Sequence, residues 1–316
     1  MKKLSVSVAL VLFLFAVVPC AGAAEDTVKI GYLSLPMSLP TYVAQEKGYF
    51  TGNGVNVELI PFNSGTAIID ALVSGRIDVN GCSASTGHWL AAQNAPDRFK
   101  IFMMFGTFSA DQDNTFVVVV KKDSPIQDLV GLKGKKVGTF PGGTSMALAK
   151  LCVRAKIDDA EVVFTEIPPP NMVPALAAGQ IDAFFSPEPM GMMAVQKGLG
   201  RYLIKSPLTL LNIGNGVPGA AFSFNAKFLK EKPVLAQKVL AAIEKGVDDI
   251  RADDKAVRPY LVKYVRLPEP VAMGLPLDEW RKLSEFNKKA GQDYFDILYK
   301  EGIFKQKVDT TALYYE

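Results

Sequence analysis

Hydrophobic positions along this chain fall into short strand-like runs, separated by segments with the period of an amphipathic helix. Residues 71–78 (ALVSGRID) are repeated closely at residues 175–182 (ALAAGQID). Each copy is typical of the last turn of a helix, a glycine able to adopt positive φ, and a strand that opens with Ile-Asp. The two copies predict two α/β lobes of similar build. The alternative is that a common helix ending occurs twice by chance.

Strands and helices alternate through both predicted lobes. In the first lobe the pattern predicts strands at 28–33, 55–60, 77–80 and 100–105, and helices at 40–48, 66–74 and 86–93. In the second it predicts strands at 135–139, 162–167, 181–185 and 201–204, and helices at 145–155, 172–178 and 190–197. This alternation predicts doubly wound, mostly parallel sheets covered on both faces.

Two segments are predicted to carry the chain between the lobes. The β-branched run at 116–120 is interpreted as the first crossing, and the glycine-rich segment at 214–219 with the apolar run at 220–224 as the second. Two crossings form a hinge about which rigid lobes rotate. The predicted division is 25–112 and 223–316 for lobe one and 113–222 for lobe two. Predicted helices at 234–251, 256–265 and 277–301 pack back on lobe one.

The N-terminal residues 1–24 have the pattern of a secretory signal. Lys2 and Lys3 precede an apolar stretch at 6–18, and small residues at 21–23 fit a cleavage site. Cys20 leaves open a lipid-anchored N-terminus, but Pro19 stands where a small residue is usual. Cleavage after Ala23 or Ala24 is favoured, and a periplasmic location is predicted.

Charge and cysteine content narrow the function classes. Without the two signal lysines, 33 basic residues stand against 32 acidic ones in a chain of 316 residues. No basic stripe interleaved with aromatic residues occurs, which argues against a nucleic-acid partner. Cys82 and Cys152 lie in different predicted lobes without paired spacing, so they are predicted to be buried thiols.

Small and polar residues follow the predicted strands, where helices begin. Ligands of open α/β sheets bind beyond the carboxyl ends of the strands, and helix amino ends favour anions. The candidate ligand-binding residues are Ser34, Ser38, Ser64, Gly65, Ser83, Ser85, Thr86, Gly142, Gly143, Thr144, Ser145, Asn171, Ser186 and Glu188. The alternative is that five of them only cap helices: Ser64, Ser85, Thr144, Asn171 and Ser186.

Glu188 has two interpretations at this stage. Two positions after Ser186, its carboxylate suits the amino end of a helix and has a structural role. If it faces the cleft instead, it repels an anion and favours an amine-bearing ligand.

No set of catalytic residues, metal ligands or cofactor-binding residues is predicted. His88 is the only histidine, so neither a transition-metal cluster nor a Cys-His dyad can be assembled. Composition leaves a Ser-His-Asp triad open, but no G-x-S-x-G motif accompanies it. Gly142 and Gly143 fit neither of the glycine-rich nucleotide motifs.

The sequence resembles the nitrate/sulfonate/taurine-type periplasmic substrate-binding proteins of ABC importers, a group that includes binders of thiamine-pyrimidine precursors. The matching segments are GY at 31–32, AQEKGYF at 44–50, GVNVEL at 54–59, ALVSGRID at 71–78 and LVGLKGKKVG at 129–138. The resemblance implies a type II periplasmic binding protein that closes on a small solute and docks on a membrane permease. It also implies ligand loops at 64–65, 83–86 and 142–145. The cleft His and Lys of nitrate binders and the Cys-rich motif of yeast-type pyrimidine synthases have no counterpart here.

Three hypotheses follow from the residues and the resemblance. The first is a monomeric extracytoplasmic binding protein that captures a small, anionic, sulfonate-like solute for an ABC importer. The second is a biosynthetic enzyme on the same fold, of the pyrimidine- or menaquinone-pathway type. The third is a periplasmic sensor protein that presents its ligand to a receptor.

Overall fold

A computed structural model describes residues 27–107, 116–141, 145–211, 216–277 and 279–316. The predicted signal segment, with Cys20, lies outside these residues. Two β-sheets form the framework, with strand orders β11-β4-β10-β3-β1-β2 and β7-β6-β8-β5-β9. The strands are β1 Thr27–Leu33, β2 Asn56–Phe62, β3 Val79–Ala84, β4 Phe99–Thr107, β5 Phe116–Lys121, β6 Lys136–Thr139, β7 Val163–Glu166, β8 Ala183–Pro187, β9 Gly200–Lys205, β10 Val217–Asn225 and β11 Glu279–Lys282.

Helices cover both sheets, and short 3-10 turns join several of the elements. The helices are α1 Leu39–Glu46, α2 Tyr49–Gly52, α3 Gly65–Ser74, α4 Ser85–Ala92, α5 Ser145–Arg154, α6 Pro169–Ala177, α7 Met190–Gln196, α8 Ala226–Glu231, α9 Pro233–Ala252, α10 Asp254–Val257, α11 Pro259–Val265, α12 Glu269–Gly274 and α13 Lys288–Lys300. The 3-10 turns are Pro36–Ser38, Pro96–Arg98, Val130–Leu132, Asp159–Glu161, Pro207–Leu211, Leu283–Glu285 and Thr310–Leu313.

The repeated eight-residue segment forms the same structure in both lobes, which confirms the prediction. Gly75 and Gly179 end α3 and α6 with φ of 77° and 72°. Three residues after each glycine, an aspartate side chain accepts a backbone hydrogen bond from the neighbouring parallel strand. Asp78 Oδ2 accepts the Lys29 amide of β1 at 2.9 Å, and Asp182 Oδ2 accepts the Lys136 amide of β6 at 2.9 Å. The repeat therefore fixes β3 beside β1 in the first sheet and β8 beside β6 in the second.

Replacing Gly179 by alanine is expected to lower the free energy of unfolding by about 1 kcal/mol, because a Cβ is disfavoured at positive φ. No atom lies within 4 Å of the added Cβ, so the cost is conformational. Urea unfolding of Gly179→Ala measures it. Gly52→Ala is the matched control, since that position is equally open but does not have positive φ. Equal effects of the two substitutions would contradict the explanation.

The prediction of mostly parallel sheets was right for part of each sheet. β1 pairs in parallel with β2 and β3, and β6 with β7 and β8. β5 and β10, however, are antiparallel to both of their neighbours, and β11 is antiparallel to β4. β5 and β10 are the first strands that the chain forms after it passes from one sheet to the other, so neither follows a strand of its own sheet through a βαβ crossover that would set it parallel.

The chain passes between the sheets twice, between β4 and β5 and between β9 and β10. The predicted boundary at residue 222 was wrong, because β10 begins at Val217 and pairs with β3 and β4 in the first sheet. The run at 116–120, interpreted as a crossing, is an interior strand of the second sheet. The hinge itself stays a prediction.

The C-terminal segment differs from its prediction. Residues 277–301 were predicted as one helix, but residues 279–282 form the edge strand β11 and α13 begins at Lys288. Burial explains the difference: Trp280 is buried against Phe105, while its neighbours in the strand stay partly exposed. Helix propensity alone does not report that alternation.

The later helices pack on lobe one as predicted, and α13 also reaches lobe two. α9 packs on α1 and α2. On α13, Tyr294 and Phe295 contact the ring of Trp89 in α4. At its end, Glu301 accepts a hydrogen bond of 2.9 Å from Arg154 in α5. The predicted burial of Cys82 and Cys152 is confirmed. Across the described ranges, no helix is both long and apolar enough to cross a bilayer.

Candidate functional site

A cavity of about 320 Å³ lies between the two lobes, at the ends of the strands. Leu33 and Ala84, the last residues of β1 and β3, line it. Gly65, Thr86 and Ser145 line it from the first turns of α3, α4 and α5. Three helix starts that follow parallel strands thus line one partly open space, as in other open α/β sheets.

Both lobes contribute to the walls, which are predominantly apolar. Aromatic rings come from each side, with Phe105 on lobe one and Phe116 and Phe140 on lobe two. The further lining residues are Leu35, Met37, Thr66, Ile69, Asp70, Gly87, Leu90, Ala91, Asn94, Pro141, Leu148, Pro187, Leu208, Val217, Gly219, Ala220 and Tyr294. A small-molecule site commonly has this character: apolar walls with a few placed polar groups.

Two hydroxyl-bearing residues at helix starts line the cavity and are nearly buried. Thr86 is 4% exposed and Ser145 is 8% exposed. The Ser145 Oγ has no hydrogen-bond partner among the described residues. A buried hydroxyl without an internal partner is costly unless a ligand or water satisfies it. The amino ends of α4 and α5 add backbone N–H groups and a partial positive charge.

Charge within the cavity is sparse. Asp70, in the second turn of α3, is the only charged side chain among the described lining residues. No Lys, Arg or His side chain of the described lining reaches the space. An anionic group bound here would therefore be held by neutral donors at the helix starts rather than by an ion pair.

A family model described as the NMT1-like family matches residues 21–265. The chain belongs to the NMT1-like family. The periplasmic aliphatic sulphonate binding protein SsuA from Escherichia coli is similar in structure, with a TM-score of 0.75 and 21% identity over 93% of each chain. This likeness establishes the two-lobe α/β fold of periplasmic binding proteins.

Curated relatives of the family differ in function. The nitrate/nitrite binding protein NrtA of Nostoc is 26% identical over 68% of this chain. A 4-amino-5-hydroxymethyl-2-methylpyrimidine phosphate synthase of Aspergillus parasiticus is 25% identical over 84% of each chain. The chain spans 52% of the length of the nitrate/nitrite binding protein, and 38% of a nitrate import ATP-binding protein of Synechocystis.

The structure brings three of the predicted residues, Gly65, Thr86 and Ser145, to the cavity wall. Gly142, Gly143 and Thr144 lie outside the described residues. The other eight predicted residues do not line the cavity: Ser34, Ser38, Ser64, Ser83, Ser85, Asn171, Ser186 and Glu188.

Hydrogen bonds within the protein explain several of these eight positions. Ser64 caps α3 by accepting the Ala67 amide at 3.2 Å. The Ser85 hydroxyl donates to the Pro218 carbonyl and so joins α4 to β10. Ser186 donates to the Pro187 carbonyl at 3.0 Å. The capping alternative thus holds for Ser64, and Ser85 and Ser186 also hold the backbone in place.

The other serines and Asn171 that were predicted to bind ligand are either exposed to solvent or fully buried. Ser34 and Asn171 are exposed, and the Asn171 side chain does not cap α6, whose N-cap residue is Pro168. Ser38 is fully buried beside the hydroxyl of Tyr42. Ser83 is also fully buried, and its hydroxyl has no partner among the described residues.

Glu188 does not line the cavity between the lobes, and its hydrogen bonds support its structural interpretation. Its carboxylate accepts the Met192 amide at 3.0 Å and the Tyr202 hydroxyl at 2.7 Å. Burial and this carboxylate raise the pKa of Tyr202 well above its usual value. Glu188 lines a separate cavity of about 430 Å³ at the junction of α7 with Gly274. The Glu188 carboxylate therefore positions α7 against β9.

His88 is part of a closed polar network rather than a site. It is fully buried, and its Nδ1 donates to the Ala84 carbonyl at 3.2 Å. Its Nε2 accepts from Ser223 Oγ at 2.7 Å and from Asn80 Nδ2 at 3.1 Å. Burial lowers the pKa of His88 to about 4. Although Ser223 and His88 are adjacent, neither has exposed surface for a substrate.

Sequence reasoning missed Asp70 and the aromatic walls. Thr66, Ile69 and Asp70 lie on one face of α3, at the i, i+3 and i+4 spacing that a helix brings together. Since Gly65 at the start of α3 was predicted to lie in the cleft, the helical spacing would have predicted that the adjacent face of α3, including Asp70, lies there too. Phe105, Phe116 and Tyr294 carry no such signal, because apolar residues in strands and helices are read as core.

Proposed function

We propose that this protein is the extracytoplasmic solute-binding component of an ABC importer, and that it binds a small organic solute between its two lobes. The observation that carries the proposal is the cavity between the lobes, which the starts of α3, α4 and α5 line from both sides. A solute that contacts both lobes stabilises their closed arrangement, because neither lobe alone provides all the contacts. A membrane permease that receives the solute is part of the proposal, as is a periplasmic location.

Cavity size and lining favour an organic solute over an inorganic ion. A volume of about 320 Å³ lies at the lower end of the range for small-molecule sites, roughly 300–1,000 Å³. A three-atom or four-atom oxyanion such as nitrate would fill a small part of it and leave water against apolar walls. A solute with a hydrocarbon body removes that water and gains about 25 cal/mol for each Å² of apolar surface buried.

The solute's headgroup is proposed to be an anion, such as a sulfonate. Thr86 and Ser145 offer hydroxyls at the starts of two helices of 8 and 10 residues, and each start adds unpaired backbone N–H groups. The unpartnered Ser145 Oγ is the most direct support, since an acceptor on the ligand would satisfy it.

An enzyme is the alternative function, because a pyrimidine phosphate synthase is among the relatives. The buried, neutral His88 argues against acid–base catalysis by a histidine, since it is the only histidine of the chain. A ligand-presenting sensor would need the same cavity. Co-purification with permease subunits distinguishes that role from transport.

The wild-type protein is expected to melt at a higher temperature in hexane-1-sulfonate, because a ligand that binds only the folded state stabilises it by about 2.7 kcal/mol at 100 Kd. Nitrate at equal concentration should give a much smaller shift in melting temperature.

Thr86→Val, which removes the hydroxyl and keeps the shape, should weaken the binding of hexanesulfonate about tenfold, since a hydrogen bond to a charged group contributes about 1.5–3 kcal/mol.

Thr165→Val provides the matched control for that substitution. Thr165 is exposed on the outer strand β7 and does not line the cavity. The proposed ligand class would be contradicted if Thr165→Val bound hexanesulfonate as weakly as Thr86→Val does. A larger rise in melting temperature with nitrate than with hexanesulfonate would also contradict it.

A further inference from the structure

Asp70 occupies a position in the cavity wall that helix stability does not explain. It lies in the second turn of α3, beyond the first turn where a carboxylate gains from the helix amino end. The residues three and four positions away are Ala67, Val73, Thr66 and Ser74, so α3 offers no cation to pair with it. The side chain is exposed, next to Thr66 and Ile69 in the cavity lining.

The composition of the lining makes this single charge important for the ligand. Asp70 is the one formal charge in the described lining, and its neighbours on the wall are largely apolar. A ligand that fills the cavity and shields Asp70 from water without pairing with it would pay the cost of an uncompensated charge. A ligand with a protonated nitrogen near Asp70 avoids that cost.

We propose that Asp70 selects the class of solute: one with an apolar body that bears a basic, protonated nitrogen. This inference rests on the proposed function, since it concerns the same cavity, and it adds the second polar feature of the ligand. The hydroxyls of Thr86 and Ser145 hold an acidic headgroup at the helix starts. Asp70 pairs with the cationic nitrogen, and the aromatic and aliphatic walls enclose the carbon body between them.

Three probes with the same six-carbon body test the proposal by calorimetry at low ionic strength: hexane-1-sulfonate, 6-aminohexane-1-sulfonate and hexylamine. The wild type should bind the aminosulfonate about fivefold more tightly than hexanesulfonate, the size expected for a partly exposed ion pair. Asp70→Asn should abolish that preference by weakening the aminosulfonate while leaving or improving hexanesulfonate. Added salt should reduce the preference in the wild type.

Asp97→Asn is the matched control, because Asp97 is an exposed aspartate of the same lobe that does not line the cavity. It should keep the wild-type preference. Asp70 is exposed, so its replacement by Asn leaves the core unchanged, and an unaltered melting temperature verifies this.

The outcomes separate the two proposals. If hexanesulfonate binds and the ratio of the two sulfonates is the same in the wild type and in Asp70→Asn, the role of Asp70 is overturned while the solute-binding function stands. If hexylamine binds through Asp70 and both sulfonates fail, the role of Asp70 is supported and the anionic headgroup is overturned. If none of the probes binds, both proposals are overturned.

Discussion

Acidification from pH 7 to pH 5 is expected to lower the free energy of unfolding by about 2 kcal/mol through one residue, His88. Burial holds its pKa at about 4 in the folded protein, below the value near 6.5 of an unfolded chain. Above pH 6.5 the imidazole is neutral in both states and its contribution to stability is fully present. As pH falls from 6.5 towards 4, the unfolded chain binds a proton that the folded chain excludes, and stability is lost.

The geometry of the network explains why the folded protein excludes that proton. Nδ1 already donates to the Ala84 carbonyl, so a second proton would go to Nε2. There it would face the Asn80 amide nitrogen, which also donates to the Ala221 carbonyl at 3.0 Å. The Ser223 hydroxyl could turn to accept from Nε2, but the Asn80 donor would still oppose it, and the positive charge would be buried with no solvent access.

Urea unfolding at pH 7 and pH 5 measures the effect, and His88→Asn should remove most of the pH dependence because the chain has no other histidine. Glu285→Gln is the control: Arg251 lowers the pKa of Glu285 to about 2, so its contribution is lost only below about pH 4.5. Glu285→Gln should therefore keep the wild-type difference between pH 7 and pH 5. Should His88→Asn fail to fold, the imidazole C–H resonance of the wild type reports the same property. A midpoint near 6.5 in that titration would refute the prediction.

Local sequence patterns predicted the parts of the fold that are decided locally. Gly75 and Gly179 indicated helix ends because the backbone there requires positive φ, and residues 78 and 182 indicated strands because each follows such an end. The antiparallel direction of β5 and β10 depends on which sheet the chain enters, and β11 depends on the burial of Trp280 against Phe105. Such non-local contacts leave no local signal.

The same distinction applies to the cavity. Gly65, Thr86 and Ser145 could be predicted because helix starts after strands share one edge of a sheet. Ser64 and Ser85 have the same local pattern, but a cap and a hydrogen bond to β10 account for them. Whether a serine faces ligand or backbone depends on its rotation about the helix axis, which packing decides. Asp70 could have been inferred from the helical spacing that follows Gly65, whereas the aromatic walls become visible only when both lobes are in place.

Replacing Ala91 by tryptophan is expected to weaken hexanesulfonate at least about 100-fold, a loss of about 2.7 kcal/mol. Ala91 is half-buried in the last turn of α4 and lines the cavity of about 320 Å³, so an indole there would project into the space that the ligand needs and fill part of it. Its ring would lie against walls that are already apolar, so the far-UV spectrum and the melting temperature without ligand should change little. Overpacking of a closed core would instead cost about 1–3 kcal/mol of stability.

Calorimetric titration of Ala91→Trp, Ala91→Leu and Ala91→Ser distinguishes filling of the cavity from a general loss of structure. Affinity should fall in steps with side-chain volume, least for serine and most for tryptophan, because each larger side chain displaces more of the ligand's body. Ala241→Trp, on the exposed face of α9, adds the same ring away from the cavity and should bind as the wild type does. Undiminished binding by Ala91→Trp would mean that the solute binds elsewhere. The proposed position of the solute in the cavity between the lobes would then be wrong.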